Sequence, residues 1–162
     1  NEWAKAGREQ ARAAAATTPT KQLQQKFWTA LIEHLAAKAP QIRPQKPRPQ
    51  HWLNNSIGRA GFGLNPTANT RDQRLGVELW IPGTEAKQHF AKLSAQKQDI
   101  EAKLGFELDW QELPDAKAVR IASWYPNASI EDEQRWHEYI DWLTQRLVKM
   151  DAVLRPIVKA LP

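Results

Sequence analysis

"SIGRAGFGLN", Ser56–Asn65, sets Gly58, Gly61, Gly63 and Arg59 inside an otherwise apolar run. A phosphate-cradling loop and a β-strand both use such glycines, for different reasons. A phosphate loop places them between a strand and a helix N-terminus, where backbone N–H groups and the helix dipole converge on the anion. Here the run is followed by "LGVELWIP" (Leu75–Pro82), which alternates as a strand, and no Gly-Lys-Ser/Thr occurs in the chain. Gly58-x-x-Gly61-x-Gly63 also reverses the dinucleotide spacing G-x-G-x-x-G. The run reads as a strand over 56–64, with glycines marking a bulge or a close approach of another group. A sheet-based binding domain is the reading, rather than a nucleotide enzyme.

The second strand spans 74–81, after the turn-rich "NPTANTRDQ" (Asn65–Gln73). Side chains alternate across a strand, so Leu75, Val77, Leu79 and Ile81 take one face and Gly76, Glu78 and Trp80 the other. In a later strand Val119 and Ile121 oppose Arg120, Ala122 and Trp124. With Phe62 and Leu64 on the core side, Arg59 joins Glu78, Trp80, Arg120 and Trp124 on one open sheet surface. Two readings stay open for it. Arginine and tryptophan on a shallow sheet stack and clamp a base or a single strand. Alternatively a cross-strand Arg–Glu pair lies under the last helix and is structural.

Around these strands the helices are legible. Thr18-Pro19 makes an N-cap and a first-turn proline, and Leu23, Phe27, Leu31 and Leu35 recur every four residues. "APQIRPQKPRPQHW" (Ala39–Trp52) ends that helix, because its prolines forbid helix and favour an extended path. Pro82-Gly83-Thr84 starts another helix with Phe90, Leu93, Ile100 and Leu104 on one face and Gly105 as its C-cap. "FELDWQEL" and "AVRIASWY" form a second strand pair around Leu113-Pro114-Asp115. Ser129 and Asp132 make a capping box for a long last helix. The fold class is α+β, a mainly antiparallel sheet of about four strands with helices packed on one face, in the order α-ββ-α-ββ-α. Residues 1–17 read as a linker or loose helix from a missing N-terminal domain, and 18–162 as a single α+β domain; Asn1 at the start and Met150 as the sole methionine give the reading of a fragment.

The 162-residue chain has no cysteine, which excludes disulfides and thiol nucleophiles, and carries a net charge of +5. Residues 40–75 hold Arg43, Lys46, Arg48, Arg59, Arg71 and Arg74 against Asp72 alone, a local excess equal to the whole net charge. A cationic patch of this kind points to a polyanion; His51 adjoins it. No apolar run reaches the roughly 18 residues of a membrane span, and a cytoplasmic location with no membrane partner is expected.

No catalytic group, metal site or cofactor is expected. Glu85-Ala86-Lys87 and Glu101-Ala102-Lys103 match the acidic-x-Lys signature of metal-dependent nucleases but fall on a helix and read as surface charge. Glu107, Asp109 and Glu112 lack the partnering lysine, and His34, His51, His89 and His137 have no ligand spacing. In the last helix Trp136, Ile140, Leu143, Leu147, Met150, Leu154, Ile157 and Leu161 form an apolar stripe. It is either core-facing or a homodimer seam, and Pro156 is expected to kink it or to open a short separate helix.

"QHW" (Gln50–Trp52), "SIGRAGF", "LGVELWIP", Leu113-Pro114 and "IEDE" (Ile130–Glu133) together resemble a bacterial family, domain of unknown function 4268, from about Thr18 to Leu161. The resemblance implies a C-terminal domain behind a PD-(D/E)XK-like nuclease segment, with "NEW" (Asn1–Trp3) at the seam. It carries no catalytic residue to this chain. The expected function is a non-catalytic accessory domain that binds nucleic acid through Arg43, Lys46, Arg48, His51, Arg71 and Arg74 and a face of Arg59, Trp80, Arg120 and Trp124. The alternative is a dimerisation or scaffold module built on the last helix.

Overall fold

A computed structural model of the protein describes residues 3–5, 18–112 and 118–162. Of the 1–17 lead-in only residues 3–5 are described, and the Leu113-Pro114-Asp115 connection lies outside the described residues. Helix α1 (Pro19–Lys38) is followed by β1 (Gly63–Asn69), β2 (Arg74–Pro82), α2 (Ala86–Ser94), α3 (Lys97–Leu104), β3 (Asp109–Glu112), β4 (Ala118–Pro126), a 3-10 turn (Glu133–Arg135) and α4 (Trp136–Lys159). The strands form one antiparallel sheet in the order β1-β2-β4-β3. The α+β class, four strands and one helical face are as the alternation predicts, with one helix of the expected order divided into α2 and α3.

Strand β2 is central and is paired on both sides. Leu75, Val77, Leu79 and Ile81 are fully buried against the helices, joined from the neighbours by Leu64, Ala68, Val119 and Ile121. Helix α1 adds Phe27, Trp28, Leu31 and Leu35. Its start is the one the sequence signals: Pro19 sits in the first turn, and the Thr18 hydroxyl accepts from the Lys21 N–H at 3.1 Å. Helix α4 buries Ile140, Leu143, Leu147, Met150 and Leu154 in the same core, so most of its apolar stripe is enclosed by this chain. The helix runs through Pro156 to Lys159 without a break. A proline there deletes one hydrogen bond in the last turn, where few helical bonds remain to be lost.

The glycine run differs from its expected strand. Gly58 and Gly61 have φ of +86° and +84°, a left-handed backbone that glycine adopts without strain. They turn the chain back on itself, so that strand β1 begins only at Gly63. The preceding residues 51–56 run antiparallel along the outer edge of β1. Leu53 N–H donates to Pro66 O, Ala68 N–H to His51 O and Leu64 N–H to Asn55 O, with bridges Trp52↔Thr67 and Ser56↔Gly63. "NPTAN", read as a turn, is therefore strand; Pro66 is tolerated because β1 meets only this irregular segment on that side. The turn proper is Thr70–Gln73, held by Asn69 Oδ1 accepting from the Asp72 N–H at 3.0 Å. Ser129 likewise closes a local turn, its hydroxyl accepting from the Glu131 N–H, and does not cap α4.

Two further ties set loops against the core. Gly105 ends α3 in the left-handed conformation, and the Glu101 carboxylate accepts from the Leu108 N–H at 2.7 Å and the Trp110 indole at 3.2 Å, anchoring the start of β3. Those bonds hold its pKa below the ordinary glutamate value, the Leu108 N–H first. Trp28 is wholly buried, and its indole donates to the Gln50 carbonyl at 2.9 Å, pinning the proline-rich segment just before residue 51. Trp28→Phe is expected to cost about 1–3 kcal/mol for the orphaned carbonyl, seen as a lower thermal midpoint together with faster amide exchange in the edge segment. An unchanged midpoint and exchange pattern would show that the segment is held elsewhere.

Candidate nucleic-acid interface

The side of the sheet away from the helices is polar. Register places Asn65 opposite Glu78, Thr67 opposite Gly76, Trp80 opposite Arg120, Gly76 opposite Trp124 and Gln111 opposite Arg120. Strand alternation therefore gathers residues from four strands onto one surface, and the edge segment folds over part of it. Between that segment and the sheet lies a cavity of about 430 Å³ lined by His51, Trp52, Asn54, Asn65, Glu78, Trp80 and Arg120. A smaller recess beside it is lined by His51, Thr67, Asn69, Arg74, Glu78, Arg120 and Trp124.

A chain of hydrogen bonds organises the far side of the surface. The Trp124 indole donates to Asp109 Oδ2 at 2.9 Å, and Gln111 Nε2 donates to the same oxygen at 2.6 Å. Arg120 donates to Gln111 Oε1 from Nε at 3.1 Å and from Nη2 at 2.6 Å. The Trp124 indole foremost, then the Gln111 amide and the nearby charges of Arg120 and Arg74, hold the Asp109 pKa below the usual aspartate value. The Trp124 ring lies against the backbone of Gly76: a Cβ there would stand 2.4 Å from its Cε3. Arg74 stacks on the same ring at 3.6 Å, with Arg120 at 5.3 Å, the geometry of a cation–π contact. Trp124 is thus a prop that aims two arginines, while Trp80 and Trp52 present to the cavity.

Glu78 is the anomaly. It is 8% exposed, and among the described residues its carboxylate has a single partner, Arg120 Nη1 at 3.5 Å from Oε2, too long to count as a good hydrogen bond. Oε2 and the neighbouring Thr67 Oγ1 are both enclosed, and among the described residues neither has a hydrogen-bond partner. Burial raises the Glu78 pKa above the ordinary glutamate value, opposed by Arg120 and Arg74. His51 is shifted downward, first by desolvation and then by the Arg120 charge.

The sequence-derived residues divide. His51, Trp80 and Arg120 meet at the cavity, and Arg74 and Trp124 sit in the adjoining recess. Arg59 does not reach this surface: its guanidinium donates to the carbonyls of Val158 and Leu161 at 3.0 and 2.6 Å, because the turn at Gly58 and Gly61 removes it from strand alternation. Arg71 is exposed in the β1–β2 turn, and Arg43, Lys46 and Arg48 are exposed along the proline-rich segment. That segment is tied to the cavity wall by the Gln45 N–H, which donates to Asn54 O at 2.8 Å. Trp52, Asn54 and Asn65 escape sequence reading because they lie in stretches that read as loop; the "QHW" motif signals Trp52 alone. Among the described residues no group of metal-ligating side chains assembles, and no helix is long and apolar enough to cross a membrane.

A family model described as Domain of unknown function (DUF4268) matches residues 23–158. No curated protein sequence matches the chain. Among solved structures, a chain of the HopA1–SchA chaperone–effector complex is similar at 12% identity and a TM-score of 0.39, over 75% of this chain and 92% of that one. YbjN from E. coli is similar at 9% identity and a TM-score of 0.34, over 77% and 91%. Both likenesses are too distant to bear on function.

Two substitutions probe the surface. Gly76→Val must displace the Trp124 ring, and a cost of about 1–3 kcal/mol is expected from overpacking, with altered indole fluorescence; an unperturbed melt would mean the ring moves freely. Glu78→Gln tests whether the carboxylate serves folding. A carboxyl whose pKa rises on folding binds more protons folded than unfolded, so its contribution to stability falls as pH rises through the window above the ordinary glutamate value. The variant is expected to melt at or above the wild-type midpoint at neutral pH, and to lose that part of the pH dependence. A fall of more than about 2–4 °C, roughly 1 kcal/mol at this size, would make Glu78 a structural member of the network.

Proposed function

The chain belongs to the family described as Domain of unknown function (DUF4268), and we propose that in it this domain binds single-stranded nucleic acid as a non-catalytic accessory to a nuclease-like bacterial protein. The observation that carries the reading is the junction of two features. A cavity walled by Trp52, Trp80 and Arg120 adjoins a cationic segment, Arg43-Lys46-Arg48, through the bond between Gln45 and Asn54. Aromatic faces on a polar sheet are what stacked bases use, and cations beside them supply sequence-independent attraction to phosphates. The cavity takes a single splayed residue of a strand, whereas paired bases in a duplex are not available to stack on a side chain. The alternative, a dimer formed through α4, has less to work with: that helix spends most of its apolar stripe on the chain's own core.

Binding of short oligothymidine, followed by tryptophan fluorescence, tests the reading. If three cations each neutralise one phosphate, log affinity falls with log salt at a slope of about −2, so about twentyfold between about 50 and 200 mM salt. The triple variant Arg43→Ala, Lys46→Ala, Arg48→Ala is expected to bind more weakly and to lose most of that slope. Absence of binding at low salt, or binding indifferent to salt, would overturn the proposal.

A further inference from the structure

Building on that reading, we propose that the recess beside the tryptophan-walled cavity is a phosphate subsite, in which Arg74 holds one phosphodiester of a strand whose neighbouring base lies in the cavity.

The two hollows share His51, Glu78 and Arg120 in their linings. Alternation sets the order of their parts along β2, where Arg74, Gly76, Glu78 and Trp80 follow one another on the outer face. From Gly76, beneath the Trp124 ring, to Glu78 is two residues of strand, about 7 Å, a step that one sugar bridges between a base and its phosphate. The recess holds about 40 Å³. At roughly 10–15 Å³ for each water-sized group it admits about three such groups, the scale of the oxygens of one phosphate and too little for a base.

Arg74 is a cation that the fold leaves unspent. Its guanidinium lies 3.6 Å over the Trp124 ring, and among the described residues it forms no hydrogen bond and no ion pair. Nε is enclosed, so the donors offered to a ligand are those of the two terminal nitrogens. Stacking holds the guanidinium plane in place, and paired N–H donors in that plane match a phosphate. Arg74 is half-buried, so its charge is screened less than those of the exposed Arg43, Lys46 and Arg48. His51 faces the same recess. Its lowered pKa keeps the ring neutral at neutral pH, so it brings one N–H donor and no charge.

The nearby carboxylates are turned elsewhere. Asp109 accepts from the Trp124 indole and the Gln111 amide, and the enclosed Glu78 Oε2 lies against Arg120. A cationic ligand would meet two guanidinium groups here, whereas an anion meets one that has no counter-ion. A nucleotide sets an anion one sugar away from a flat ring, which is the pairing the two hollows offer.

The test uses the whole chain with hexathymidine over a range of salt concentrations. Arg74→Gln is expected to lower the salt slope by about 0.7, one phosphate contact on a single strand, and to weaken binding about eightfold at about 50 mM salt, a deficit that closes toward about 1 M. Arg74→Lys should retain the slope, because it keeps the charge. Glu78→Gln removes the one carboxylate that lines the recess and should bind at least as tightly as wild type. Thermal melts confirm that the variants are folded. In a separate arm, thymidine monophosphate should bind wild type more tightly than thymidine or inorganic phosphate does, an advantage over thymidine that Arg74→Gln loses. Unchanged affinity and slope in Arg74→Gln, or loss of binding in Glu78→Gln, would overturn the phosphate assignment while leaving nucleic-acid binding standing. A slope lost equally in Arg74→Lys would reduce Arg74 to a support for Trp124, with the same consequence. Inorganic phosphate held as tightly as the monophosphate would detach the recess from the cavity and overturn their pairing. If no oligonucleotide binds at low salt, the broader reading falls; Arg74-dependent binding of the monophosphate would then keep the subsite for a free nucleotide, and no binding in any arm would overturn it.

Discussion

Strand β2 holds the molecule to a single arrangement. It lies inside the sheet, with β1 on one side and β4 on the other, and Leu75, Val77, Leu79 and Ile81 lock its inner face into the helical layer. A slip of one residue would turn all four to the outside and bring Glu78 into the core. Burial of four large apolar side chains, each contributing about 1.5–3 kcal/mol, forbids that. The positions of Gly76, Glu78 and Trp80 on the outer face are consequences of the same lock. The core thus sets the register of a surface it does not touch.

That outer surface is ordered by polar geometry rather than by burial. Gly76 clears the space in which the Trp124 ring lies flat, Asp109 and Gln111 fix that ring and Arg120 from β3, and Arg74 rides on the indole. Each member is held by a neighbour on another strand, so the arginines are positioned before any ligand arrives, and little side-chain ordering remains to be lost on binding. Glu78 stands apart from this arrangement. Its burial opposes its charge, and among the described residues its one partner is Arg120, at 3.5 Å. A fold selected for stability alone would place an apolar residue or a completed pair there. Such local conflicts concentrate at functional sites.

The edge segment joins the two halves of the candidate interface. Its backbone pairs with β1, Trp28 grips it at Gln50 from beneath, and its own Trp52 and Asn54 wall the cavity. The exposed cations Arg43, Lys46 and Arg48 continue from it. An irregular strand carrying a proline-rich approach is a compromise: proline keeps the cations extended and cannot continue a ladder, so the edge is not left as a template for another chain.

Local patterns were enough to show the fold class, the helices and the inward faces of β2 and β4, because each depends on spacing along a few residues: period two in the strands, three to four in the helices, Thr18-Pro19 at one end and Gly105 at another. They also placed Trp80, Arg120 and Trp124 on a common face, since alternation alone does that. Tertiary structure decided where β1 begins, and with it the fate of Arg59. Whether "SIGRAGF" extends or turns depends on a left-handed backbone at Gly58 and Gly61 that glycine permits but does not compel. The pairing of residues 51–56 with β1 then stabilises the turn through backbone hydrogen bonds between segments separated along the chain. The cavity is a consequence of that long-range pairing, which brings Trp52 and Asn54 over Asn65 and Glu78; no spacing within the chain announces it, because its walls come from segments that meet only after the sheet has closed.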